Sequence, residues 1–460
     1  MSAPTVPASR VPLQTRIGFG VGDFGFLLVW QGTTLFLMYF YTDVIGIEPV
    51  LAGTIYLVAM IWDAATDPVI ASLAERTRTR WGRYRPWIAL GAVPFGASFA
   101  LAFSTPGSLP IEPWVWALAT HLLLRTAYTI VSMPFNSMQA RLTQDANERT
   151  TLAGFRMVGA ATGGLAIVII MPMMVQALSV QGQAHGYWIA ASLAGGLASM
   201  GLIYCALTMR EPLGREDLPP TSSLFQDIAA IPRLFVSNMP LIRVFGVIVI
   251  GSICLGMFGK NVLYHFKYAV GREDLASPAL IIPAILLIFS TPFWVWLSTR
   301  RSKRDALSIG LMIALVGYAA FFLIPADFLA GSFAAIVLIG FGGAALPVMF
   351  WAMLPDTIEY GEWKSGIRAE SRTFGFATFA QKAAVGINAL LLGALLAVAG
   401  FQANVDQSAE TLVAMKAIMS LVPALGTIAI LVILRGYPLD RKTHGDIVMD
   451  LRRRSVGSRS

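Results

Sequence analysis

The sequence is short of charge, cysteine and histidine. Only 13% of its 460 residues are Asp, Glu, Lys or Arg, against roughly a quarter in a water-soluble chain. That shortage excludes an ordinary soluble globular protein of this length. Two cysteines, Cys205 and Cys254, both lie in apolar stretches, so no disulfide framework is expected. The four histidines, His121, His185, His265 and His444, show no metal-site spacing. Residues 1–16 contain Pro and Ser but no apolar core, so a tail is expected there and no cleavable leader.

What the chain has instead is apolar length. Hydrophobic residues make up 56% of it. They fall in blocks such as Trp87–Phe103, Gly154–Val175, Leu311–Ile324 and Ala384–Phe401. Crossing the ~30 Å hydrocarbon layer takes about 20 such residues per helix. Twelve segments qualify, at 17–43, 50–75, 86–105, 112–138, 150–177, 187–208, 238–268, 278–300, 304–325, 330–356, 372–400 and 410–436. The expectation is an all-α membrane protein with twelve transmembrane helices in two six-helix halves. The domains are then a tail at 1–16, an N-terminal half at 17–208, a linker at 209–237, a C-terminal half at 238–436 and a basic tail at 437–460. Basic turns at Ala74–Arg85 and Ser298–Asp305 recur at equivalent places in the two halves. Such paired halves are how alternating-access carriers build a site near the membrane midplane.

The net charge of +8 has a pattern. Lys and Arg gather in the termini and the even-numbered loops. Only Lys267 and Arg272 fall in odd-numbered loops, and Arg125, Arg156, Lys260, Lys382 and Lys416 lie within spans. This alternation is the positive-inside signature, which places both termini in the cytoplasm of a multi-pass plasma-membrane (in a bacterium, inner-membrane) protein. It also accounts for the basic surplus without nucleic acid. Arg452, Arg453 and Arg454 suit anionic lipid headgroups.

Ionisable residues inside a membrane are costly and mark function. Asp63 and Asp67 sit one helical turn apart on one face, in Ile61-Trp62-Asp63-Ala64-Ala65-Thr66-Asp67-Pro68. Two carboxylates that close repel unless a cation or a basic side chain joins them. Thr66 adds a hydroxyl beside that face, and Pro68 frees the Ala64 carbonyl. An all-oxygen set suits a hard cation. Lys382 lies too deep in its span to reach an interface, so it should face a cavity and pair with a carboxylate when the site is empty. Arg156, a turn or two from a span end, admits either a cavity role or snorkelling. Asp23, in Gly20-Val21-Gly22-Asp23, fits the Gly-x-Gly-Asp of intramembrane aspartyl proteases, but no aspartate precedes it to complete a dyad. No nucleophile–base or metal constellation supports an enzyme. A receptor or scaffold would not need carboxylates and a lysine at that depth.

Several segments together are specific. Tyr41-Thr42-Asp43-Val44-Ile45-Gly46, the Asp63–Asp67 segment and Arg80-Trp81-Gly82-Arg83-Tyr84-Arg85-Pro86-Trp87 resemble the melibiose permease-like glycoside–pentoside–hexuronide:cation symporters. Asp356-Thr357-Ile358-Glu359-Tyr360-Gly361-Glu362 and Ile367-Arg368-Ala369-Glu370-Ser371 extend the resemblance into the second half. It implies the major facilitator fold and symport with Na⁺, or with H⁺ or Li⁺, and no other cofactor. The implied cation ligands are Asp63, Thr66, Asp67 and Thr129, with Thr66 standing where melibiose permease has an asparagine. The implied cavity includes Tyr128, Arg156 and Lys382. The family's sugar-binding carboxylates fall on Leu27, beside Phe26, and on Ser132, and its cavity tryptophans fall on Asn136 and Pro347.

That more apolar cavity resembles the sodium-dependent lysophospholipid transporters, which makes an amphipathic lysolipid-like solute the expected substrate. The alternative is a glycoside held by a site rebuilt from Gln31, Asn136, Gln139 and Asn388. The expected cycle has Na⁺ neutralising Asp63 and Asp67, releasing Lys382 and favouring substrate. Arg78, Arg83 and Arg85 would latch the cytoplasmic side with Asp356, Glu359 and Arg368. Nothing in the sequence calls for a partner beyond substrate and lipid, so a monomer is expected.

Overall fold

The computed structural model of the chain describes residues 11–142, 146–209, 238–366 and 370–457. Among these residues the apolar blocks are helical, and no strand forms beyond an isolated Thr79–Gly82 bridge. In hydrocarbon every backbone N–H and C=O needs an internal partner, and a helix provides it within one segment. The first six helices are α1 (Leu13–Val44), α2 (Pro49–Arg76), α3 (Arg85–Ala102), α4 (Pro113–Leu142), α5 (Ala146–Leu178) and α6 (Gln183–Thr208). The next six are α7 (Met239–Ala269), α8 (Glu273–Arg300), α9 (Lys303–Leu323), α10 (Leu329–Ser365), α11 (Glu370–Val398) and α12 (Ala409–Arg435). A polar tail helix, α13 (Arg441–Gly457), follows.

Ten of the twelve are long and apolar enough, by length and composition, to cross a membrane. The other two are α3, which is short and opens on Arg85, and α4, which carries His121, Arg125, Thr129 and Asn136 along its length. Large apolar side chains such as Leu90, Phe289, Leu323 and Val398 are strongly exposed. That exposure would invite aggregation in water and is the ordinary outer surface of a protein in lipid.

The chain forms two compact units. The first comprises Met1–Glu48 and Val58–Asp217, and the second Pro49–Leu57 and Leu218–Ser460, so the opening turns of α2 belong to the second. In the first unit α1 packs on α5 and α6, and α3 on α4 and α6. Glycines set the spacing. A Cβ on Gly159 would strike the Gly20 carbonyl, and one on Gly96 the Gly195 carbonyl, so small residues let α1 meet α5 and α3 meet α6 backbone to backbone.

The second unit centres on Trp294, Leu307, Leu311, Met349, Phe350 and Ile430, with the Trp294 indole donating to the Phe341 carbonyl at 3.0 Å. Tyr437, Leu439 and Ile447 extend that core to the tail helix. The tail is also tied by Arg441 to the Thr299 carbonyl and by Trp363 to Asp450, each at 2.8 Å.

Helix boundaries differ from the hydropathy reading mainly at α10, which runs to Ser365 and not to 356. Its last turns carry Asp356, Glu359, Glu362 and Lys364, too polar to register as a span but still helical. They stop at Gly366, whose φ of 71° is the left-handed cap that glycine adopts freely. The linker expected at 209–237 lies outside the described residues except for Met209.

Candidate functional site

Helix α4 carries one polar stripe. His121, Arg125, Thr129, Ser132, Asn136 and Gln139 recur at steps of four, four, three, four and three, which places them on a single helical face. Two clusters form along it, both within the first unit.

The upper cluster joins α4 to α2. The Trp62 indole donates to Thr126 Oγ1 at 2.9 Å and fixes the register of the two helices. One turn on, Thr129 Oγ1 lies 2.8 Å from Asp63 Oδ1 and 3.0 Å from Asp67 Oδ1. Asp63 and Thr129 are fully buried and Asp67 is half-buried. A hydroxyl has one hydrogen, so it can donate to only one of these oxygens at a time. The hydroxyl thus links the buried Asp63 carboxylate to the half-buried Asp67 carboxylate, and a positive charge near these oxygens relieves their mutual repulsion. Thr66 turns its hydroxyl to the Trp62 and Asp63 carbonyls of its own helix, both at 3.0 Å.

The lower cluster was only half legible beforehand. Arg156, from α5, does not snorkel. Its Nε donates to Asp23 Oδ2 and its Nη2 to Asp23 Oδ1 at 3.2 Å. Nη2 also reaches Asn136 Oδ1 at 2.8 Å, and Nη1 reaches Gln139 Oε1 at 2.7 Å. The guanidinium lies over the Phe135 and Phe19 rings, 4.8 Å and 5.7 Å from their centroids. Asp23 is therefore the counter-charge of an intramembrane arginine. The signal for it was available in the sequence: an arginine inside a span needs a carboxylate, and Asp23 is an aspartate inside another span.

Between the clusters stands an aromatic wall. Phe26 packs against Phe135, Phe95 and Tyr128 with centroids 5.0, 5.6 and 5.7 Å apart, and Trp30 lies 5.6 Å from Tyr128. Leu27 is half-buried beside Phe26. Ser132 is buried, and its Oγ has no hydrogen-bond partner among the described residues. Above, Arg125 is buried, donates to His121 Nε2 at 3.3 Å and lies over Trp30.

The remaining expected residues lie on other helices and loops. Lys382 is buried in α11, in the second unit. Asn388 gives its amide to the Ile253 carbonyl of α7. The gate residues have local partners: Arg85 donates to the Ala206 carbonyl at 2.6 Å, and Arg78 to the Glu75 carbonyl at 2.8 Å. Arg83 is half-buried, and Arg368 lies outside the described residues. Asp356 accepts both 2.7 Å and 2.8 Å bonds from Lys303, and Glu359 meets His444 Nε2 at 2.5 Å. Asp356, Glu359 and His444 thus bring donor atoms within 4.8 Å of one another, a grouping invisible in the sequence because 85 residues separate Glu359 from His444.

Residues 18–441 match the MFS/sugar transport protein family. The chain is 28% identical over 429 residues to the inner membrane symporter YicJ of Escherichia coli (strain K12), covering 92% of this chain and 91% of YicJ. It is 30% identical over 434 residues to the putative glycoside/cation symporter YagG of the same strain, covering 94% and 93%. Its fold is that of the nucleoside transporter NupG, with a TM-score of 0.66 at 14% identity over 90% of this chain and 98% of NupG. The chain belongs to the MFS/sugar transport protein family, whose members are multi-pass membrane carriers of the major facilitator fold and not enzymes.

Proposed function

We propose that this protein is a cation-coupled symporter of a glycoside or related sugar, working by alternating access. One observation carries the coupling: a single Thr129 hydroxyl stands within hydrogen-bond reach of oxygens from both Asp63 and Asp67. Two carboxylates and a hydroxyl gathered at one point are the oxygen set that a hard cation takes, which supports a coupling site there. Na⁺ is the ion proposed, held by Asp63, Asp67 and the Thr129 oxygen, with H⁺ as its competitor for the same place. Likeness to a glycoside/cation symporter supports the substrate class. A lysophospholipid headgroup would have to be met by Lys382 and Arg156, and Arg156 already donates to Asp23, Asn136 and Gln139. Lys382 remains the proposed cavity lysine, and the cytoplasmic placement of both termini follows the loop charges.

The test uses purified protein in proteoliposomes, with uptake of a radiolabelled glycoside panel under an inward Na⁺ or H⁺ gradient. Expected is gradient-driven accumulation that Asp63→Asn abolishes, and release of protons when Na⁺ is added to detergent-solubilised protein at low buffering. Accumulation by Asp63→Asn vesicles at the wild-type level would sink the coupling assignment. Uptake of lysophosphatidylcholine with no response to any glycoside would restore the lysolipid reading.

A further inference from the structure

We infer that Asp356 and Glu359 of α10, with His444 of α13, form a site for a divalent transition cation, Zn²⁺ fitting best. A bound ion staples the tail helix to the end of α10. The inference goes beyond solute and coupling ion: all three residues belong to the second unit, whereas Asp63, Asp67 and Arg156 belong to the first.

Spacing along the chain gives no hint of this site, and packing supplies what spacing lacks. Asp356 and Glu359 are three residues apart on a helix, so both leave α10 from one face. His444, in the first turn of α13, brings Nε2 to 2.5 Å from Glu359 Oε2 and 3.5 Å from Asp356 Oδ1. One donor atom from each of the three lies within 4.8 Å of the other two. Zinc bonds to nitrogen and oxygen of about 2.0–2.2 Å, at tetrahedral angles, set donor atoms roughly 3.4 Å apart. The His444–Asp356 separation is already close to that value. The His444–Glu359 pair, now joined through a hydrogen, must open by about 1 Å to admit an ion in the hydrogen's place. Their side chains are 26% and 30% exposed, which leaves both room to turn.

Charge balance also fits. Two carboxylates neutralise one dication, and a neutral imidazole completes three ligands, leaving the fourth position to water. The present counter-charge is Lys303, which donates to Asp356 Oδ1 and Oδ2 at 2.7 and 2.8 Å. Lys303 is 36% exposed and also donates to the Ala352 carbonyl at 2.8 Å. It can therefore yield Asp356 to a dication and keep its carbonyl bond. An independent sign is the Tyr437 hydroxyl, buried just ahead of α13 with no hydrogen-bond partner among the described residues. Burial, and then the negative charge of nearby Asp356, push this phenol upward, so it keeps its hydrogen. That donor lacks only an acceptor, and an Asp356 oxygen released by Lys303 is one. Metal-bound carboxylates are ordinarily steadied by such a donor.

The donor set selects among ions. Imidazole suits Zn²⁺ and its transition-metal neighbours, whereas Ca²⁺ and Mg²⁺ want oxygen alone, and more of it than two carboxylates give. The consequence is mechanical. Without an ion, the tail leans on Tyr437, Leu439 and Ile447 and on the bonds made by Arg441 and Trp363. An ion held only by the docked tail shifts the docking equilibrium toward the docked state by mass action.

The experiment adds Zn²⁺ alone to purified, untagged full-length protein freed of metal by a chelator. Bound zinc is counted by equilibrium dialysis, and amide exchange over residues 441–450 is followed in parallel. The wild type should bind a single Zn²⁺ per chain, which excess Mg²⁺ or Ca²⁺ does not displace. At free Zn²⁺ about ten times the dissociation constant, exchange in that segment should slow roughly tenfold. His444→Ala should abolish both effects. Glu359→Gln keeps a hydrogen bond to His444, so the tail stays docked, and it should weaken zinc binding by more than Tyr437→Phe, for which about tenfold is expected. Lys303→Ala removes the competing charge and should tighten binding, and His185→Ala, in the first unit, should leave it unchanged. Zinc binding that survives His444→Ala overturns the inference. So does tail exchange that zinc at saturation does not slow, weaker binding by Lys303→Ala, or loss of binding in His185→Ala.

Discussion

In the first unit a half-buried arginine, Arg156, holds Asp23 beneath an aromatic wall; in the second, Lys303 holds Asp356 while His444 meets Glu359 at the end of α10. The ingredients are alike and the outcomes differ. Around Asp356 and Glu359 each carboxylate meets a nearby basic side chain, the partners are a third exposed or close to it, and the result fastens α9 and the tail helix to α10. Around Arg156 the charges also cancel, yet amide and hydroxyl donors remain over. Leftover hydrogen-bonding capacity beside an ion pair, more than charge itself, distinguishes a binding cluster from a fastening one.

The sharpest way to break this comparison is to remove Arg156. Its side chain is 22% exposed and that of Asp23 10% exposed, so Arg156→Ala leaves a buried carboxylate without its partner, at a cost of about 3 kcal/mol or more. Thermal unfolding in detergent should show a large fall for Arg156→Ala and a smaller one for the Asp23→Ala/Arg156→Ala double variant, which removes the stranded charge as well. Equal losses in the single and double variants would mean that the pair is not coupled as described.

Next in size is the cation pair. Thr129→Val keeps the shape but deletes the hydroxyl between Asp63 and Asp67. The loss of a hydrogen bond to a charged group is worth about 1.5–3 kcal/mol, so the Na⁺ concentration for half-maximal uptake should rise roughly ten- to hundredfold. Thr129→Ser should recover most of it. Indifference to Thr129→Val would remove the hydroxyl from the site.

How far could these regions be read from sequence? The fold was legible because hydrocarbon demands long helices, and the apolar blocks had that length. The end of α10 escaped because hydropathy measures membrane, not helix, and Glu359–Ser365 is helical without being apolar. Asp63 and Asp67 announced themselves by spacing on one helix. Thr129 needed a family resemblance, since nothing local says which helix faces α2. Asp23 was weighed only as part of a protease-like Gly-x-Gly-Asp, while the resemblance put the place of the helix-1 carboxylate at Leu27, one turn away. Only the fold brings α1, α4 and α5 around Arg156, and His444 to Glu359 likewise depends on packing across 85 residues.

Smaller again is the fastening cluster. Lys303 is 36% exposed, so solvent screening limits its pair with Asp356 to about 1 kcal/mol or less. Lys303→Ala should lower the thermal midpoint slightly and leave glycoside affinity unchanged, the reverse of Gln139→Ala, where affinity falls and stability holds. If Lys303→Ala alters affinity as much as Gln139→Ala does, the division between fastening and binding clusters collapses.

The smallest effect tests the edge of the second region, where the tail helix begins. Asp440 caps it, accepting the Thr443 backbone N–H at 2.8 Å. That main-chain bond, with further hydrogen bonds from Thr443 and Lys442, holds the Asp440 carboxyl below its ordinary value of 3.8. A carboxyl with a lowered folded-state value contributes fully above its ordinary one and loses its contribution as pH falls through the lowered value. Amide exchange in the first turn of α13, corrected for the intrinsic rate at each pH, should therefore be slow near neutrality and speed up below pH 3.8. Asp440→Asn caps without ionising and should make that protection independent of pH, whereas Asp440→Ala should lose it throughout. Protection in Asp440→Ala equal to wild type at neutral pH would mean that Tyr437, Leu439 and Ile447 alone hold the tail, and that this end of the cluster owes nothing to its charge.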